Sequence, residues 1–442
     1  MSSPVPARTL GFWTTCSLVV GNMVGSGVFL LPASLAPYGR FSLYGWLFSS
    51  GGALLLAWVF SRLARRLPRA GGPYAYTRAG FGDFAGFLVA WGYWICILSA
   101  NAAIVVALVS YLSVFFPVLG TNPASGAIAA LGIVWLLTLV NGYGVVAAGR
   151  VQLVTTVLKL LPLLAIALAG LTVFEPGRVL APMTTGDTGF SAITACTALT
   201  LWAFMGLESA TIPAEHVQDA ARTIPRATLV GTLIAAVFYV VCTTVAMGIV
   251  PNEILASSKA PFADAARVLW GEWGAYLIAA GAAVACFGTL NGWILMQGQL
   301  PFAVARDGLF PAVLSRLSTR GTPVVGLVVS SALVSALVMA NYTRGLVHMF
   351  TFAILLSTMS TLVPYLFSTL SELILARADE TGRAAKGVLV VGVIGAFAFT
   401  LWAVAGTGQE AVYWGTLLLL AGLPVYVWQK NRAVQDDASA AR

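Results

Sequence analysis

Gly21-Asn22-Met23-Val24-Gly25-Ser26-Gly27-Val28-Phe29-Leu30-Leu31-Pro32 lies inside the first long apolar run of the chain. Leu201-Trp202-Ala203-Phe204-Met205-Gly206-Leu207-Glu208-Ser209-Ala210-Thr211-Ile212-Pro213 lies inside the sixth. Runs of about 17–25 apolar residues have the length of a helix that crosses a bilayer. They fall near 11–35, 42–61, 84–114, 126–146, 152–174, 192–215, 227–250, 271–299, 323–341, 347–372, 387–406 and 411–429. A spanning helix keeps its backbone polar groups paired, and a break is tolerated only against protein or a water-filled cavity. Gly11 to Val24 covers roughly 21 Å at 1.5 Å per residue, so Gly25-Ser26-Gly27 weakens the first span past the midplane. Gly21 and Gly25 also fit the spacing of a small-residue helix-packing face. Gly206 and Ser209 interrupt the sixth span at similar depth.

Two interruptions five spans apart predict an all-α integral membrane protein of about twelve helices. The first ten form a 5+5 inverted repeat of the LeuT type with helices 1 and 6 broken, followed by two C-terminal helices. The expected organisation is a short N-terminus at 1–10 and one polytopic domain at 11–429. That domain divides into repeat one at 11–174, repeat two at 192–372, and helices eleven and twelve at 387–429, with a tail at 430–442. In such a design, freed helix N-termini face anionic groups and freed carbonyls face cations. A ligand carrying both a carboxylate and an ammonium fits.

Composition supports the membrane reading. The 442 residues are 59% hydrophobic and 9% charged, with a mean hydropathy of +0.89, against about 25% charged in soluble domains. This excludes a soluble enzyme, a disordered chain and a nucleic-acid binder. The net charge of +8 reads as the basic bias of cytoplasmic loops. With the N-terminus inside, the outer loops hold only Arg40, Arg178, Lys259, Arg267 and Arg344, and the cytoplasmic set outnumbers them better than three to one. Both termini are therefore expected on the cytoplasmic side. Lys159 falls within a span near its cytoplasmic end, where its ammonium is expected to snorkel. The five cysteines form no CxxC pair, and His216 and His348 are the only histidines, so neither a metal nor a cofactor is expected. Arg8 precedes an apolar run without a small-residue cleavage site, the pattern of an uncleaved first span.

Glu208 is the only carboxylate placed well inside a span, since Glu215 and Glu372 fall at expected cytoplasmic ends. A central charge costs roughly 2.5–3.5 kcal/mol on insertion scales, so such a residue marks a pathway or is held neutral by a hydrogen bond. Trp202 and Trp293 lie too deep for interface anchors; cation–π contact and plain packing both suit them. Asn101, mid-span in the third helix, is pocket lining or interhelical glue. An intramembrane enzyme would need a nucleophile with a base or a metal cluster, and a channel would need rings of polar residues. The sequence offers neither.

The motifs resemble those of the amino acid–polyamine–organocation superfamily, and within it the bacterial basic amino acid/polyamine antiporters, the arginine/agmatine type most of all. The similarity runs from Gly21–Pro32 through Pro68-Arg-Ala-Gly-Gly-Pro-Tyr-Ala-Tyr and Leu201–Ser209. It continues in Asp307-Gly-Leu-Phe-Pro, Gly321-Thr-Pro and Leu362-Val-Pro-Tyr. The resemblance implies that Ser26 and Gly27 receive the substrate carboxylate, and that carbonyls near Met23, Trp202 and Met205 hold its α-ammonium. Trp293 would stack on the distal cation, with Asn101 and Ser357 hydrogen-bonding it and Trp202 closing the outer side. Tyr93, Glu208 and Tyr365 would form the inner gate, Glu208 being the proton-responsive candidate. The family also implies a possible homodimer in the bacterial cytoplasmic membrane. Cys96-Ile97 stands where the arginine/agmatine type has Ala-Cys, Ile104 replaces a Met, and Met23 and Met205 replace Ile. The loop Asp219-Ala-Ala-Arg-Thr-Ile-Pro-Arg lacks the usual Asn-Pro. The implied activity is exchange of a cationic amino acid for its decarboxylated amine, arginine for agmatine first, with lysine/cadaverine, ornithine/putrescine or a proton-coupled permease as alternatives.

Overall fold

The computed structural model describes residues 11–68, 71–143, 159–211, 217–376 and 383–440. Eleven helices among them are long and apolar enough to span a bilayer, and a shorter apolar helix covers Lys159–Gly170. We number the membrane helices α1 to α12. The first is split into α1a (Phe12–Met23) and α1b (Ser26–Leu35). Then follow α2 (Phe41–Arg66), α3 (Asp83–Leu112), α4 (Pro123–Tyr143), α5 (Lys159–Gly170) and α6 (Gly189–Leu201). The second half has α7 (Ala220–Ile249), α8 (Glu272–Arg306), α9 (Val324–Asn341) and α10 (Leu346–Ala376). After them come α11 (Arg383–Gly406) and α12, in two pieces at Gly408–Leu420 and Leu423–Ala440. Positions 152–158 of the expected fifth span, with Glu215 and His216, lie outside the described residues.

Both expected interruptions are present, with one refinement. α1a stops because Val24 turns to ψ 92° and Gly25 takes φ −138°, ψ −144°. Ser26 and Gly27, expected within the weakened stretch, instead form the first turn of α1b, where the leading N–H groups have no intrahelical acceptor. In the sixth span, α6 tightens to a 3₁₀ turn over Trp202–Phe204, and Met205 is extended at ψ 135°. Gly206 then adopts φ +103°, a conformation costly for any residue with a Cβ. Its backbone also abuts Asn22 of α1a.

The packing shows why the two breaks face one another. α2 packs on α7, α3 on α8 and α4 on α9; each pair joins a helix to the one five places later. The crossed contacts match as well: α2 with α6 mirrors α7 with α1a, and α3 with α9 mirrors α8 with α4. α3 with α10 mirrors α8 with α5, where Gly281 meets Pro162. An offset of five spans reverses the direction of crossing, so the relation is an inverted repeat.

Polarity is distributed inside out. Asn101, Gln297, Glu208, Glu372 and Lys159 are all fully buried, whereas Leu168, Val237 and Leu277 are each more than half exposed toward the lipid side. α3, at 30 residues, is about 45 Å long and overshoots the roughly 30 Å hydrocarbon layer. One expectation needs correction. Lys159 does not snorkel: its ammonium donates to the Gly21 carbonyl and reaches Thr289 Oγ1 at 3.4 Å. The break after α1a leaves that carbonyl without its helical donor, and carbonyls at a helix C-terminus attract a cation. The second piece of α12 continues through the stretch expected as a tail as far as Ala440; no Gly or Pro interrupts it. Glu372 lies near the C-terminal end of α10. It takes Arg62 at 2.8 Å and Arg66 at 3.1 Å, tying α10 to α2.

Candidate functional site

Six of the expected site residues meet where the two breaks face each other. Met23, Ser26, Gly27, Trp202, Met205 and Trp293 line one cavity, together with Asn22, Gly25, Ile104 and Thr289. Its free space is about 20 Å³, enough for about one water and far too little for an amino acid. The site is collapsed because the Trp202 indole lies against Gly27: a Cβ there would come within 2.8 Å of Trp202 Cζ3. Ser26 Oγ and Trp202 Nε1, both on the wall, are buried without a hydrogen-bond partner. Such orphaned polar atoms call for an explanation. With the first-turn N–H groups of α1b beside Ser26, the wall presents donors suited to an anion on one side. The Trp293 ring lies on another wall.

The cavity is closed toward both faces. On one side Trp202 meets Phe350 of α10 edge-on, with centroids 5.6 Å apart. Toward the other, where α1a begins, Tyr93, Glu208 and Tyr365 form one network. The Tyr93 hydroxyl donates to Glu208 Oε1 at 2.6 Å, and that of Tyr365 to Oε2 at 2.8 Å. Gly206 N–H adds a bond to Oε2 at 3.2 Å. The Tyr365 ring packs edge-on against Phe60 at 5.2 Å. One carboxylate after the sixth-span break thus joins α3 to α10.

Four expected residues sit outside the cavity wall. Ser357 donates to the Cys96 carbonyl at 3.0 Å, and Thr361 donates to Cys96 Sγ at 2.8 Å. Ile97 is fully buried on α3. Asn101 does not meet Ser357; it donates to Gln297 Oε1 at 2.8 Å, which leaves Asn101 Oδ1 as an unpartnered buried acceptor. Among the described residues, no cluster of His, Cys, Asp or Glu could hold a metal ion.

The sequence matches the amino acid permease family over residues 10–423. It is 39% identical to a cadaverine/lysine antiporter of Escherichia coli (strain K12) over 75% of this chain and 74% of that protein. It is 33% identical to a putative arginine/ornithine antiporter of Bacillus subtilis (strain 168), over 96% and 97% respectively. A putrescine transporter of Escherichia coli (strain K12) is 30% identical over 96% and 97%. The chain belongs to the amino acid permease family. This permease is therefore a multi-pass membrane transporter of the amino acid–polyamine–organocation superfamily, similar to basic amino acid/polyamine antiporters and not an enzyme.

Sequence reasoning missed three residues of this permease's centre. Thr289 stands one helical turn before Trp293 and faces the same cavity, a signal the four-residue spacing carries. Gln297, one turn further, fixes the Asn101 amide and is held in turn by Ser331 Oγ at 2.7 Å. Lys159 fastens the end of α1a. An ionisable residue alone inside a span is itself the signal for a functional position.

Proposed function

We propose that this permease exchanges a cationic amino acid for the amine left by its decarboxylation, with lysine for cadaverine as the first pair. The observation that carries the proposal is the collapsed cavity between the two helix breaks, with orphaned donors at Ser26 and Trp202 and the Trp293 ring on its wall. Ser26, Gly27 and the first turn of α1b receive the carboxylate. Carbonyls near Met23, Trp202 and Met205 take the α-ammonium, and Trp293 and Asn101 take the distal cation. The Asn101 carbonyl offers a point acceptor, which suits an ammonium. The Cys96-Ile97 and Ile104 departures weigh against the arginine/agmatine pair, and the relative named for cadaverine and lysine favours lysine and cadaverine. The indole face of Trp293 favours a second reading, arginine for agmatine, because a planar guanidinium stacks where an ammonium does not.

Tyr93, Glu208 and Tyr365 act as the gate toward the cytoplasm, with Glu208 responsive to protons or to substrate charge, and Trp202 closes the outer side. The permease resides in the bacterial cytoplasmic membrane with both termini inside, in keeping with its basic loops. Purified protein in liposomes tests the proposal. Labelled lysine should enter when cadaverine or lysine is trapped inside, stay out of empty vesicles, and fail to enter with Trp293→Ala. Equal uptake into empty vesicles would overturn exchange. Faster turnover with arginine and agmatine would move the assignment to the second pair.

A further inference from the structure

A second cavity, of about 500 Å³, opens on the face opposite the Glu208 gate. Its walls come from the end of the first span (Ser34 and Tyr38), the stretch leading into α6 (Asp187 and Phe190), α10 (Thr351) and the α11–α12 turn (Thr407). That volume lies within the usual range of small-molecule sites, about 300–1,000 Å³. Asp187 is the only charged residue on its wall, and among the described residues its carboxylate has no cationic partner. It accepts a hydrogen bond from Ser191 Oγ at 3.2 Å. The N-terminus of α6, which starts at Gly189, offsets about half a charge. Arg40, close in sequence to Tyr38, lies instead over the Phe41 ring at 5.4 Å. Several other polar wall groups are engaged with protein: Ser34 and Thr351 bond each other at 2.9 Å, Thr194 donates to Phe190 O at 2.9 Å, and Thr407 donates to Val404 O at 2.8 Å. The rings of Tyr38 and Phe190 line the same cavity as the carboxylate, a setting in which an organic cation gains both charge pairing and π contact.

The cavity's place in the fold gives it a use. Its floor includes Leu199, one turn before Trp202, and Thr351, next to Phe350, so the Trp202–Phe350 contact separates it from the central site. We propose that this vestibule is a second binding site, in which Asp187 holds the ammonium of an incoming or departing organic cation one gate away from the central cavity. The proposal rests on the reading that the cargo is cationic. A carboxylate there raises the local concentration of cations at the closed gate and disfavours anions.

The five native cysteines are buried, so a cysteine introduced at the exposed Ser191 can be labelled selectively by a membrane-impermeant maleimide. Cadaverine at about 10 mM should slow labelling of Ser191→Cys about tenfold if the site binds near 1 mM. The uncharged isostere 1,5-pentanediol should not slow it. Protection should fall below about twofold with Asp187→Asn, survive with Asp187→Glu, and survive in the Trp293→Ala background that disables the central site. Undiminished protection with Asp187→Asn would overturn the proposal. So would loss of protection with Trp293→Ala alone, since occupancy of the central site would then be its source. Exchange by wild-type liposomes is scored separately: Asp187-dependent protection without lysine–cadaverine exchange would refute the transport pair and leave the vestibule standing.

Discussion

The two phenols on Glu208 are not equivalent, and the difference can be measured. Oε2 receives Tyr365 and Gly206 N–H, whereas Tyr93 serves Oε1. Hydrogen bonds to a charged group are worth about 1.5–3 kcal/mol each, and leaving a buried acceptor unmet costs a further ~1–3 kcal/mol. Tyr365→Phe removes one bond and leaves Oε2 a donor. Since 1.4 kcal/mol is a factor of ten, it should shift the balance from closed to open by about 10- to 150-fold. Tyr93→Phe strips the side-chain donor from Oε1 and should shift it further, by roughly another tenfold. Both substitutions keep the ring, so the packing of Tyr365 on Phe60 is preserved. Cys96 offers a native reporter: it is fully buried, one turn from Tyr93 on α3, and bonded to Thr361 on α10. With Cys16, Cys196, Cys242 and Cys286 replaced by Ala, the alkylation rate of Cys96 reads opening on that side. The expected order of rates is Tyr93→Phe above Tyr365→Phe above wild type. Rates within twofold of wild type in both variants, accompanied by a fall in transport, would refute the lock and leave the network a purely structural role.

Other perturbations probe separate parts of the centre. Gly27→Ala places a methyl within 2.8 Å of the Trp202 ring; overpacking of about 1–3 kcal/mol should cut exchange roughly tenfold, with partial rescue by Trp202→Phe. Lys159→Met removes the ammonium from the Gly21 carbonyl. Loss of a charged hydrogen bond, about 1.5–3 kcal/mol, at the hinge of α1a should slow liposome exchange about tenfold or more, and an unchanged rate would count against a hinge role. Glu372→Gln removes the charge that Arg62 and Arg66 share; both are partly exposed, at 32% and 17%, and can be hydrated in its place. The melting temperature in detergent should fall by less than the roughly 3–5 kcal/mol of a wholly buried pair implies.

The membrane spans were legible because the bilayer imposes a length and a polarity that apolar runs display directly. The breaks were legible because Gly25 and Gly206 stand at similar depth in two spans five places apart. What the sequence did not show were partnerships across the bundle. Asn101 reads as a mid-span amide, but only the fold reveals that Gln297, nearly two hundred positions later, fixes its orientation. Lys159 read as a snorkelling cation because its depth was judged along its own helix; the acceptor that draws it inward belongs to α1a. The Tyr93–Glu208–Tyr365 network was expected from family resemblance rather than from spacing, since the three residues come from three different spans.

The exchange of each helix for the one five places on has a thermodynamic consequence. A scaffold made of two oppositely directed copies treats its two sides alike, so its inward- and outward-facing forms start from nearly equal energy. Such a carrier has no preferred direction of its own, and the concentrations on either side decide which cargo moves which way. Any bias must come from residues the two halves do not share. Glu208 in the sixth span answers to no carboxylate in the first, and Lys159 in the fifth answers to no cation in the tenth. Buried ionisable groups that one half holds and the other lacks are thus part of this machine's asymmetry, and they give its direction of work a chemical as well as an architectural basis.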